Sequence, residues 1–116
     1  MLQTEKLYNI QNIYELACSD QVFVKRLLTI FITETPATLN TMFDAYKNGD
    51  HATIKKLAHR IKPSVKNLGI NSIVTDLYDL EVGNYPQETE QKLKRISSIL
   101  VDVVIGITAD MEEVPA

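Results

Sequence analysis

His59 has Lys55 four residues before it, Lys62 three residues after it and Lys66 seven after it. In a helix these offsets stack side chains turn above turn on one column. An imidazole surrounded by ammonium groups suits an anionic ligand. In its neutral form the ring also carries a free nitrogen lone pair near pH 7. A solvated face gives the same local pattern, so the histidine and its lysines alone do not name a reaction. The second histidine, His51, has no cysteine or carboxylate at ligand spacing and reads as structural or incidental.

The element that must position His59 is a helix with clear ends. Asp50 suits an N-cap, and Gly69 suits the left-handed residue that stops a helix. Between them Ile54, Leu57, Ala58, Ile61, Val65 and Leu68 form an apolar face. At about 100° per residue, His59 lies about 150° from the centre of that face and points outward. The same rhythm and punctuation predict helices over roughly 8–18, 20–48, 50–68, 71–82 and 86–110. Ser19 and Asp20 supply the cap for the second helix and Asn71 or Ser72 that for the fourth. Pro36 should bend the second helix without ending it. Tyr78 is expected to face inward with Val74, Leu77 and Leu80, Gly106 weakens the last helix, and the tail MEEVPA should fray. No segment alternates with the period of two of a half-buried strand. The expected fold is all-α: an antiparallel up-down four-helix bundle with a short additional N-terminal helix.

The 116 residues, 45% of them hydrophobic, are enough for one core, so residues 1–116 are expected to form a single domain. The single Cys18 excludes an internal disulfide, and no metal cluster is visible in the spacing of Cys, His, Asp and Glu. No signal sequence or membrane-spanning run is evident, which points to a cytoplasmic protein without membrane association. The net charge of −3 argues against general attraction to nucleic acid. That charge is unevenly spread. Residues 51–68 carry five basic and no acidic side chains, whereas the remaining seven basic and fifteen acidic residues leave −8.

The stretch Ala58-His59-Arg60-Ile61-Lys62-Pro63-Ser64-Val65-Lys66-Asn67-Leu68-Gly69 resembles the active helix of histidine-containing phosphotransfer (HPt) domains, H-x-L-K-G-S-x-x-x-L-G preceded by Ala. His59, Ile61, Lys62, Ser64, Leu68 and Gly69 fall in place, and the expected helix order matches the family over nearly the whole chain. The resemblance implies a phosphorelay intermediate of two-component signalling, with His59 accepting and releasing a phosphoryl group between receiver-domain aspartates. It implies Lys62 and, less directly, Lys66 as phosphoryl-stabilising residues, and Pro63, Ser64 and Gly69 as residues that shape the site. No cofactor or metal is expected on this chain; a divalent metal is expected on the partner receiver. The partners implied are response-regulator receiver domains, whether the chain is freestanding or part of a hybrid histidine kinase, and a monomer is expected.

Two residues depart from the pattern. Pro63 replaces the usual Gly and, lacking an N–H for the carbonyl of His59, should bend the helix locally. Val65 replaces a position that is often small or polar. Ser64 is expected near the core boundary in a packing role, and Val22 and Ile30 are expected to pack under the first helix. Asp76 with Asp79, and Glu112 with Glu113, read as solvated helix faces. With no nucleotide loop, triad or metal cluster, the chain is expected not to be an enzyme, but a carrier without kinase activity of its own. The alternative is a non-phosphorylated bundle that docks receiver domains or other proteins. A nucleic-acid-binding bundle is disfavoured by the acidic balance and by the lack of aromatics among the lysines.

Overall fold

The computed structural model describes residues 7–112, and the described chain is all-helical, with no strand. α1 spans Gln11–Leu16, α2 Gln21–Lys47, α3 His51–Asn67, α4 Val74–Val82 and α5 Thr89–Glu112. Short 3-10 turns over Asn71–Ile73 and Pro86–Glu88 lead into α4 and α5. None of these helices is long and apolar enough to cross a membrane.

Local chemistry sets most of the boundaries. The Asp20 carboxylate accepts from the Phe23 amide at 3.1 Å, and the Asp50 carboxylate accepts from the Thr53 amide at 3.1 Å. Each therefore satisfies one of the donors that a helix N-terminus leaves open. Gly49 and Gly69 take φ of +69° and +67°, the left-handed conformation that ends α2 and α3 without a Cβ penalty. Both internal prolines are tolerated: α2 stays helical through Pro36 and α3 through Pro63.

Three boundaries differ from expectation. α1 occupies only six residues, because Cys18 and Ser19 adopt left-handed backbone (φ 53° and 63°) in the turn before Asp20. Asn71 and Ser72 open the 3-10 turn, leaving α4 to start at Val74 with no side-chain cap. α5 continues through Gly106 to Glu112, so Met111 and Glu112 of the tail are helical; the rest of the tail, Glu113 included, lies outside the described residues.

α5 is the pillar of the core. Leu93, Ile96, Leu100, Val103 and Ile107 are completely buried at alternating spacings of three and four, and α2 packs along them with Val24, Leu28, Phe31, Leu39 and Met42. Each such side chain contributes about 1.5–3 kcal/mol through burial. α3 packs chiefly on α4 and on α2. The segment before α1, together with the first turn of α1, ties the far ends of α3 and α5 together. The Asn9 amide donates to the Leu68 carbonyl at 2.6 Å, the Asn12 side chain donates to the Asn67 carbonyl at 2.7 Å, and the Tyr8 hydroxyl donates to Asp110 at 2.5 Å. Gly106 makes the last contact possible, since a Cβ there would lie 2.8 Å from the Tyr8 hydroxyl. That glycine serves close packing, where helix propensity alone suggests only a weak point.

Candidate functional site

α3 buries Ile54, Leu57, Ala58, Ile61 and Val65 and turns His59 outward, with its side chain 73% exposed. Lys62, one turn on, lies at the α3–α4 boundary and is mostly covered. The residue that organises the pair comes from α4. One oxygen of the Glu81 carboxylate bonds to Nδ1 of His59 and the other accepts from Nζ of Lys62. Nζ of Lys62 also stands 5.4 Å from the centre of the Tyr78 ring, near enough for a cation–π contact.

Protonation roles follow from this arrangement. The hydrogen bonds from Lys62 and then from His59 hold the Glu81 carboxyl below its ordinary range, so it is ionised and can only accept. Nδ1 of His59 must therefore carry the hydrogen. In the neutral ring the lone pair is then on Nε2, the nitrogen that Glu81 does not engage. The site presents an oriented, exposed nucleophilic nitrogen with an ammonium group beside it.

The remaining site residues fall in several places. Lys66 is exposed, and among the described residues no carboxylate lies within ion-pair range of it, or of Lys55, Lys56 or Arg60. Lys55 reaches across to the end of α4, where a Cβ on Gly83 would meet its Cε and Nζ at 3.1 Å. Its charge is thus set against the carbonyl end of α4, a favourable place for a cation. Pro63 is exposed on the outer surface beside His59. Ser64 is exposed too, correcting the packing role expected of it, and lines a groove between α2 and α3 on the flank away from Glu81. Gly69 ends α3 about 15 Å beyond His59 along the helix, where a Cβ would come within 3.0 Å of the Asn9 Cβ. It shapes the end of the helix and the approach of the N-terminal segment.

Other side chains also depart from expectation. Tyr78 is 50% exposed beside Lys62 and so does not face inward. Val22 and Ile30 are 73% and 46% exposed and do not pack under α1; with Phe23 and Leu16 they leave apolar side chains open on the α1–α2 surface. Asp76 and Asp79 are not a solvated face. Asp76 is buried and accepts from Nε and Nη2 of Arg95 at 2.7 and 2.8 Å, while Asp79 faces Nζ of the buried Lys92 at 3.8 Å.

Sequence reasoning missed Glu81, Arg95 and Lys92. The available signal was the pair of (i, i+3) sets on α4, Tyr78 with Glu81 and Asp76 with Asp79, which lie on opposite flanks of the apolar Leu77 and Leu80. Among the described residues, no group of three or more His, Cys, Asp or Glu side chains is placed to hold a metal ion. Compared with models of protein families, with curated proteins and with solved structures, the chain matches none.

Proposed function

We propose that this chain is a phosphoryl carrier of the HPt kind, a phosphorelay intermediate in which His59 shuttles a phosphoryl group between receiver-domain aspartates. The observation that carries the reading is the Glu81 bridge to His59 and Lys62, which leaves Nε2 exposed as the nucleophile. The Nε2 lone pair forms an N–P bond while the P–O bond to the first receiver's carboxylate breaks, and that carboxylate keeps the electron pair. As the ring gains positive character, Glu81 stabilises it through the Nδ1 hydrogen, and Lys62 offsets charge on the phosphoryl oxygens. In the onward step an oxygen of a second aspartate bonds to phosphorus, and the N–P electron pair returns to Nε2.

This reading includes an antiparallel up-down bundle, a cytoplasmic monomer, and a divalent metal on the receiver rather than on this chain. The cations of α3 that have no carboxylate in ion-pair range among the described residues suit an acidic partner surface, and Ile30, exposed at the α2–α3 groove, offers it apolar contact. Incubation with a phosphorylated receiver tests the proposal: the chain should gain a label that is lost in His59→Gln. A chain that binds the receiver but stays unlabelled would instead be a docking module.

A further inference from the structure

α4 is nine residues long and begins without a side-chain cap. A helix this short is not stable alone, so its position and its roll about its own axis come from its neighbours. Leu77 and Leu80 press it onto the core, but an apolar face tolerates rolling. Side-chain tips lie about 5–6 Å from a helix axis, so a roll of about 20° carries one through about 2 Å. That distance is enough to break a hydrogen bond such as the one between Glu81 and His59.

The flank of α4 opposite Glu81 carries a polar clamp to α5. Asp76 takes both Nε and Nη2 of Arg95, a two-pronged geometry that fixes direction as well as distance. One turn along, Asp79 faces Lys92, whose ammonium group also bonds to Glu88 at 2.6 Å and stands 5.1 Å from the centre of the Tyr85 ring. Asp76 and Lys92 are 8% and 2% exposed, whereas the Arg95 side chain is 56% exposed and reaches Asp76 from the surface. Exposed ion pairs add little stability and buried ones often no more than apolar residues of similar volume, so what the Arg95 fork supplies is geometry.

We propose that Arg95 is a positioning residue for His59: through Asp76 it fixes the roll of α4 and so holds Glu81 against Nδ1. The consequence for transfer rests on the carrier reading above; the geometry does not. The readout is the tautomer of the His59 ring, taken from two-bond 1H–15N spectra of the full-length, unphosphorylated chain at about pH 8.5, where an imidazole is neutral. Wild type should show hydrogen on Nδ1. Arg95→Ala should lower the ratio of Nδ1–H to Nε2–H several-fold, and Arg95→Lys, which keeps the charge but not the fork, should lie between. Ile107→Val loosens α5 about 18 Å from Arg95 and should leave the ratio unchanged. The proposal is overturned if folded Arg95→Ala keeps the wild-type ratio, or if Ile107→Val shifts it equally. Should Arg95→Ala not fold, a wild-type ratio in Arg95→Lys overturns it. Neither phosphoryl donor nor receiver enters the measurement, so the positioning role of Arg95 and the carrier role of His59 stand or fall separately.

Discussion

Glu81 and His59, 22 residues apart and on different helices, meet through a carboxylate–imidazole hydrogen bond that orients the ring. The same carboxylate holds Lys62. A single acidic side chain therefore sets both the tautomer of the histidine and the position of the nearest ammonium group. In the proposed transfer it would be the positioning residue closest to the chemistry.

On the proposed carrier function, Glu81→Ala should fold and still bind a receiver, but accept phosphoryl about tenfold more slowly than wild type, because the ring loses its orienting partner and the counter-charge for the developing imidazolium. Glu81→Gln keeps an acceptor without the charge and should fall between the two. Rapid-quench transfer kinetics against one phosphorylated receiver, with binding measured separately, would check this. Equal rates in all three would remove Glu81 from the mechanism.

Lys62→Met keeps much of the side-chain volume and removes the charge. In the proposed transfer its rate should drop by about tenfold or more, while Lys66→Met, on an exposed side chain with no carboxylate in ion-pair range among the described residues, should change mainly the salt dependence of association. Rates measured at two ionic strengths separate these roles.

Gly106→Ala places a methyl 2.8 Å from the Tyr8 hydroxyl and 2.9 Å from its ring. Overpacking of this kind should cost about 1–3 kcal/mol in urea unfolding. In a Tyr8→Ala background the cost should largely vanish, since the atoms that clash are gone. An equal cost in both backgrounds would show that the N-terminal segment does not pack there.

The pH dependence of stability should have a distinct alkaline limb. Burial first, and then the hydrogen bond to Asp110, push the Tyr8 hydroxyl well above its ordinary pKa. The folded chain thus keeps a proton that the unfolded chain releases near pH 10. The stabilisation is complete below about pH 10 and declines as pH rises above it toward the folded value. Tyr8→Phe should flatten this limb in chemical denaturation across pH 9–11. For Glu81, whose carboxyl is held low, the sign is opposite: its contribution is present above the ordinary carboxyl range and is lost as pH falls through the lowered value.

What could be read from the sequence was local. The outward direction of His59 follows from helical phase within α3, and the Asp50 cap and Gly69 stop follow from the backbone needs of that same helix. What could not be read depends on how helices meet. No periodicity in α4 says which of its carboxylates faces α3 and which faces α5, because that depends on the 3-10 turn at Asn71–Ile73 and on the roll of α4. Hence Glu81 went unnoticed while Asp76 and Asp79 read as solvent-facing. Tyr8 and Asp110 are 102 residues apart, and Gly106 reveals its purpose only when both are in place. Val22 and Ile30 are expected to pack under the first helix; in the fold α1 is only six residues long and leaves them exposed.

The most direct test of the carrier claim is the chemistry of the label itself. A receiver phosphorylated with 32P is mixed with the chain, the chain is separated, and the label is challenged with acid and base. Phosphohistidine at residue 59 requires label that is lost in acid, survives base and is absent from His59→Gln. Folded chain that gains no label from any receiver in a broad panel, or label that persists in His59→Gln, would contradict it.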